Sequence, residues 1–189
     1  VQTNDPFKVL LATILSARTG DKTTAEASAR LFTKVKTLDN IDTLSIKQIQ
    51  ELIYPVSFYK NKAKHLKELP GVLREKFNGK IPKTVEQLIE LPGVGRKTAN
   101  LVVTIGFEKP AICVDTHVHK IMNRLGYIKT KNPFETEMAL RKKLPLQYWS
   151  TINSTLVAFG QNLCRPISPK CSQCPVRKYC NRVGVTSSR

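Results

Sequence analysis

Apolar residues recur at helical spacing along most of the chain, and the alternation typical of strands is nearly absent. This periodicity predicts an all-α protein with short loops. The predicted helices are Phe7 to Ala17, Thr23 to Phe32, Ser45 to Ile53, Lys60 to Phe77, Thr84 to Leu91, Lys97 to Phe107, Thr116 to Leu125, Pro133 to Leu144 and Trp149 to Gly160.

Two of these helices have clear start or stop signals in the sequence. Ser45 is the predicted N-cap of its helix, with Gln48 three residues later as in a capping box. The helix over Lys60 to Phe77 is expected to be interrupted near Leu69-Pro70-Gly71 and to end at Asn78-Gly79.

A domain boundary is predicted near Glu108-Lys109-Pro110. It divides the chain into residues 1–109, with a helical hairpin at about 84–107, and residues 110–189, which end in a cysteine-rich loop at 164–180.

The chain is strongly basic, with 31 Lys and Arg against 14 Asp and Glu, a net charge of +17. This excess favours a polyanionic partner, nucleic acid ahead of a membrane surface, although a merely soluble basic protein has the same composition. Residues 161–189 contain six Lys and Arg and no acidic residue. His65 lies among Lys60, Lys62, Lys64 and Lys67, which predicts a solvated or DNA-facing surface.

Four cysteines close to the C-terminus are separated by six, two and five residues: Cys164, Cys171, Cys174 and Cys180. Four soft thiolates on one short loop suit an iron–sulfur cluster or zinc far better than magnesium or calcium. The single Cys-x2-Cys pair favours iron–sulfur over zinc, and two disulfides are a third alternative. The fifth cysteine, Cys113, lies in an apolar run and is expected to be buried and inert.

The segment Leu91-Pro92-Gly93-Val94-Gly95-Arg96-Lys97-Thr98-Ala99 joins two apolar helices. Gly93 and Gly95 permit backbone angles and close approaches that a Cβ would block. The start of the second helix, around Arg96, offers free N–H groups and a positive dipole end to a phosphate. The pattern is typical of a helix-hairpin-helix DNA-backbone clamp, and an ordinary interhelical turn is the alternative.

Lys97 and Asp115 are the two candidate chemical groups. The helix dipole and partial burial would favour a neutral, nucleophilic amine on Lys97, whereas a solvated lysine paired with phosphate is the alternative. Asp115, in Val114-Asp115-Thr116-His117, precedes a helix and is a normal N-cap. An ionised Asp in that position can also stabilise positive charge on a sugar or accept a proton.

The hairpin lysine, the Val-Asp-Thr-His segment and the four-cysteine loop occur in an order that resembles the endonuclease III family of helix-hairpin-helix DNA glycosylases. The resemblance implies a six-helix domain and a cluster domain with the catalytic cleft between them. It implies that Lys97 is a Schiff-base nucleophile and Asp115 the catalytic carboxylate. It also assigns a 4Fe–4S cluster to the four cysteines, which with a charge of about −2 leaves roughly +15 on the protein.

By the same resemblance, Gly93, Val94, Gly95 and Arg96 bind the DNA backbone, and two further loops contact DNA. Ile14 to Asp21 is similar to a loop that inserts a side chain at the lesion, with Arg18 where the bacterial pattern commonly has Gln. Ser57-Phe58-Tyr59 is similar to a second insertion loop, with Phe58 as a wedge. From the sequence given, we expect the N-terminal helix of relatives to be shortened or absent, and Asn153 to Gly160 departs from the bacterial pattern.

The function implied is a bifunctional glycosylase and abasic-site lyase acting on oxidised pyrimidines in duplex DNA. A mismatch-directed thymine, uracil or adenine glycosylase and a non-catalytic zinc-bearing DNA-binding module are the alternatives. We expect a monomer without a membrane partner, located in the cytoplasm with the nucleoid in a prokaryote, or in the nucleus or mitochondria of a eukaryote.

Overall fold

The computed structural model describes residues 3–189, and every regular element within that range is helical. This confirms the all-α prediction. The α-helices are α1 Pro6–Ser16, α2 Asp21–Lys34, α3 Leu38–Thr43, α4 Ile46–Ile53, α5 Tyr59–Phe77, α6 Val85–Leu88, α7 Arg96–Leu101, α8 Thr116–Leu125, α9 Pro133–Lys143 and α10 Ile152–Asn162. A π-helical segment, Val102–Gly106, extends α7, and short 3-10 turns follow at Leu146–Tyr148, Cys171–Gln173 and Arg177–Tyr179.

The chain divides into two compact units, the first ending at Lys109 and the second beginning at Pro110. The first unit contains α1 to α7, and the second contains α8 to α10 and the cysteine loop. No described helix is both long enough and apolar enough to cross a membrane.

Helix α1 is the centre of the first unit. Its residues from Val9 to Leu15 are all buried, as expected for a helix that is apolar on every face. It packs against α2, α5, α7 and the π-helical segment. At that segment a Cβ on Gly106 would lie 2.9 Å from the Cα of Pro6, so the absence of a side chain permits the close contact.

Helix α5 corrects one prediction, because it runs without interruption through Pro70. Proline lacks the N–H that would bond one turn back and normally kinks or ends a helix. Here Leu66, Leu69 and Leu73 are fully buried on the same helix, and Pro70 is buried with them. The burial of these side chains on both sides of Pro70 outweighs the lost hydrogen bond. The helix ends at Asn78, as predicted, and the structure shows Asn78 in the left-handed conformation.

The second unit has its own core, which lies where the buried segment before α8 meets α8, α9 and α10. The fully or nearly buried residues of this core are Ile112, Val114, Val118, Ile121, Met122, Ile128, Leu140 and Leu156. Cys164, the first residue of the cysteine loop, packs against this core.

Candidate functional site

The hairpin connects α6 to α7 through a tight turn. The buried Leu91 and Val94 anchor it from below, and the Val94 N–H donates to the Leu91 carbonyl at 3.1 Å. Because the Val94 side chain is buried, only its backbone is available to an external ligand. Gly95 is the N-cap of α7, which begins at Arg96. The first amides of a helix have no intrahelical acceptor, so this turn can bind an anion.

Glycine occurs at the two hairpin positions for different structural reasons. Gly93 has φ +75°, and a Cβ there would lie 2.7 Å from Nδ1 of His65. His65 is half-buried against the hairpin, so it is not the fully solvated side chain that its lysine neighbours suggest. Gly95 has φ −93°, and a Cβ there would have no neighbouring atom within 4 Å, so the folded chain itself does not require glycine at this position.

A pair of substitutions follows from this difference. Gly93→Ala is expected to destabilise the protein by about 1–3 kcal/mol, because it combines a left-handed backbone with a steric clash. Gly95→Ser preserves a good N-cap and should change stability by less than about 0.5 kcal/mol, yet it should weaken DNA binding because a side chain would stand over the anion site. Urea unfolding and duplex binding at one salt concentration measure the two effects. Unchanged DNA binding by Gly95→Ser would contradict a backbone clamp at this turn.

Lys97 is the second residue of α7 and is exposed. Partial burial was one of two effects expected to favour a neutral Lys97 amine. The described residues do not bury Lys97 in this way. Arg96, directly before it, is half-buried and lies 3.8 Å from a carboxylate oxygen of Glu86 on α6. The hairpin thus presents a primary amine immediately after the turn that can bind an anion.

Asp115 is the N-cap of α8, as predicted. Its Oδ1 accepts hydrogen bonds from the backbone N–H groups of His117 and Val118, both at 2.9 Å. Neither of these two bonds uses its other oxygen, Oδ2. The cap therefore fixes the orientation of the side chain with one oxygen and leaves the second available for chemistry.

Helix α10 supports this carboxylate from behind. Asn153 donates from its side-chain amide to the Cys113 carbonyl at 3.1 Å, which ties the buried segment before Asp115 to α10. A Cβ on Gly160 would lie 2.2 Å from Nδ1 of His117, so the glycine allows the His117 ring to pack on the helix. Cys113 is buried, in agreement with the expectation for it. His119 faces elsewhere, with its Nδ1 at 2.7 Å from the Thr136 hydroxyl.

The two loops predicted to enter DNA lie side by side in the first unit. The guanidinium carbon of Arg18 is 5.6 Å from the centre of the Phe58 ring, a cation–π contact. Both residues are exposed, and both have the left-handed backbone, with φ of 56° and 58°. Phe58 is 59% exposed, so it is not a core residue.

Lys62 holds the first of these loops in place. Its buried ammonium donates to the carbonyls of Leu15 and Ala17 and to the hydroxyl of Thr19. Burial lowers the pKa of this lysine from 10.5 to about 8. The prediction that Lys62 belongs to a solvated lysine surface is wrong.

The four cysteines of the C-terminal loop are free and half-buried, and all four line one cavity in the second unit. Arg124, Lys170, Arg177 and Arg182 line the same cavity. Two N–H groups point at the sulfurs: Arg124 Nη1 lies 3.5 Å from Sγ of Cys164, and the backbone N of Arg182 lies 3.4 Å from Sγ of Cys180. Among residues 3–189 no three His, Cys, Asp or Glu side chains are placed to bind one metal ion.

Comparison with known proteins gives the family. Residues 11–146 match the HhH-GPD superfamily of base excision DNA repair proteins. Endonuclease III of Thermotoga maritima is 46% identical over 176 residues, which are 93% of this chain and 83% of that protein. The chain belongs to the endonuclease III family. As a member of this family it is a DNA glycosylase of base excision repair.

Solved structures agree with the family assignment. An endonuclease III trapped as a covalent intermediate with DNA matches with a TM-score of 0.86 at 36% identity, over 96% of this chain and 85% of that one. A thermostable thymine-DNA glycosylase matches with a TM-score of 0.83 at 27% identity, over the same shares of the two chains. The fold is therefore that of the endonuclease III family, as the sequence motifs predicted.

Three residues of this chain that support the candidate site were not predicted from the sequence. Asn153 and Gly160 carry no signal of their own, since each acts through a neighbour distant in the chain. Lys62 is one of several lysines in a basic stretch, and only its burial separates it from them.

Proposed function

We propose that the chain is a bifunctional DNA glycosylase and abasic-site lyase that removes oxidised pyrimidines from duplex DNA. The observation that carries the proposal is the exposed amine of Lys97 directly behind the anion-binding hairpin turn. A clamp on one phosphate places an adjacent nucleotide within reach of a group at the start of the same helix. The relative trapped covalently with DNA supports a nucleophile of this kind.

The lesion enters the site as an extruded nucleotide, and weakened stacking or pairing makes extrusion less costly. The Lys97 amine attacks C1′ of the sugar, the glycosidic bond breaks, and the base leaves with the bonding electron pair and takes up a proton. The amine then loses its two protons, and the C1′–O4′ bond breaks. O4′ keeps the electron pair of that bond and takes up a proton, and an imine remains between Nζ and C1′.

The second half of the reaction cuts the strand. The imine acidifies the C2′ hydrogens, so a base removes one as a proton and the 3′ phosphate leaves with the electrons of its C3′–O bond. Water then hydrolyses the imine and returns the free amine. The Asp115 carboxylate stabilises positive charge on the sugar during base loss or accepts a proton from the attacking amine.

We further propose that Cys164, Cys171, Cys174 and Cys180 hold a 4Fe–4S cluster. Four free thiols around one cavity, basic lining residues and two N–H groups directed at sulfur support this assignment. Its contribution is structural, since binding of thiolates to a metal centre stabilises the folding of the loop that carries them.

Iron analysis tests this assignment directly. The purified protein is expected to contain about four irons per chain and to absorb visible light, and chelation of the iron should unfold the loop over 164–180. One zinc per chain without visible absorption would instead assign a structural zinc to the four cysteines.

A panel of duplexes tests the enzymatic proposal. Duplexes carrying thymine glycol, uracil opposite guanine, or an abasic site are incubated with the protein, and base release is resolved from strand nicking. We expect release and nicking with thymine glycol and nicking at the abasic site. Release of uracil opposite guanine without nicking would favour a mismatch glycosylase, the second candidate, which the likeness to the thymine-DNA glycosylase supports.

A further inference from the structure

The side chain of Lys62 carries its charge into the interior of the first unit. Lys62 is 6% exposed, and no carboxylate of the described residues lies within ion-pair distance of its ammonium. The three donor positions are used by three oxygens: the Leu15 carbonyl at 2.7 Å, the Ala17 carbonyl at 2.6 Å and the Thr19 hydroxyl at 3.3 Å. A buried lysine is costly to maintain, so its hydrogen bonds indicate a specific structural task.

These oxygens belong to the end of α1 and the loop that follows it. The last carbonyls of a helix have no intrahelical donor, and the negative end of the dipole favours a cation. Helix α1 has no basic residue in its own last turn. Lys62 supplies that cation from α5, more than forty positions along the chain.

The same loop is joined to the Phe58 loop through a single hydroxyl. Thr19 Oγ1 accepts from the Lys62 ammonium and also from the Ser57 backbone N–H at 3.2 Å. Arg18 lies between two residues that Lys62 contacts, and its guanidinium stands over the Phe58 ring. The left-handed backbone of Arg18 and Phe58 is sparsely populated for residues other than glycine, so the surrounding contacts must maintain it.

We propose that Lys62 is a positioning residue that locks the loops of Arg18 and Phe58 into one platform before DNA binds, and that discrimination between damaged and intact duplex depends on this lock. The proposal rests on the proposed function, since it assigns the platform to the DNA at the extruded nucleotide. A preformed platform places Arg18 and Phe58 without an ordering cost at the moment of binding.

Lys62→Met tests the lock, because methionine keeps a similar length and apolar stem but lacks the ammonium. Hydrogen exchange of the free protein, read by mass spectrometry, is expected to become at least about tenfold faster at residues 17–20. The ratio of affinities for an abasic-analogue duplex and an intact duplex should fall at least about tenfold, with KM rising more than kcat changes.

Lys67→Met is the matched control. Lys67 lies on the same helix and donates in the same way to backbone carbonyls, those of Asp42 at 2.9 Å and Leu44 at 2.8 Å, but it holds the connection between α3 and α4. This variant should accelerate exchange near residues 42–45 and leave residues 17–20 and the affinity ratio unchanged. An affinity ratio lowered equally by Lys67→Met would show a general loss of stability and overturn the proposal.

Thr19→Val provides a milder test in case Lys62→Met does not fold. It removes the hydroxyl shared by Lys62 and Ser57, so exchange at residues 57–58 should accelerate and the affinity ratio should fall by a smaller factor. Unchanged exchange at residues 17–20 in Lys62→Met, or at 57–58 in Thr19→Val, would overturn the lock. The exchange measurements need no DNA, so they test the lock independently of the proposed function. If exchange accelerates in the variants but the wild-type protein does not discriminate damaged from intact duplex, the lock is supported and the proposed function is rejected.

Discussion

Lys97→Ala is expected to abolish the covalent complex that borohydride traps with abasic-site DNA. Borohydride reduces the imine between Nζ and C1′ to a stable secondary amine, so trapping requires the lysine that forms the imine. Strand nicking should fall by at least about 10³-fold, the order expected when a nucleophile is removed. Trapping is read as a slower band on a denaturing gel, and nicking as a shortened labelled strand.

Lys47→Ala is the control for the lost charge. Lys47 is exposed on α4, so this variant removes one surface lysine without touching the hairpin. It should trap and nick like the wild type, and Lys97→Ala should still bind duplex DNA, since the hairpin amides remain. A trapped complex of undiminished yield in Lys97→Ala would assign the imine to another amine and reject the mechanism.

Asp115→Asn should separate the two tasks of this residue. Asparagine is as good an N-cap as aspartate, and its carbonyl oxygen can accept the same bonds from the His117 and Val118 amides. Stability should therefore change by less than about 0.5 kcal/mol, whereas base release should fall by roughly 10²–10⁴-fold because the carboxylate charge is lost. Single-turnover base release and urea unfolding are the two measurements.

Asp115→Ala completes the comparison. It removes the cap as well as the charge, so it should lose about 1 kcal/mol of stability in addition to the activity lost by the asparagine variant. If Asp115→Asn releases bases at the wild-type rate, the carboxylate is a cap alone and its chemical role is wrong.

Local signals were enough to predict much of the fold. The start of α4 at Ser45, with Gln48 completing a capping box, and the start of α8 after Asp115 were both predicted and are confirmed. Capping depends on side chains within three residues of the helix start, so the information is contiguous in the sequence. The four cysteines are also close together in the chain, and the structure places all of them around one cavity.

Predictions failed where a distant neighbour decides the outcome. Pro70 should interrupt α5 by its local effect, but the buried leucines around it keep the helix continuous. His65 and Lys62 occur among lysines that predict a solvated surface, yet one packs under Gly93 and the other enters the first unit. The two hairpin glycines are equivalent in the motif, and the left-handed backbone of Gly93 and the position of His65 distinguish them.

The order of motifs, the helical class and the capped start of α8 are properties of the sequence by itself, because each depends on residues near one another along the chain. The tertiary structure decided that Arg18 stacks on Phe58, that Lys62 bridges the end of α1 from α5, and that Asn153 and Gly160 support the segment of Asp115. Each of these contacts joins residues that are far apart in the chain. Burial and hydrogen-bond partners of that kind exist only once the helices have packed.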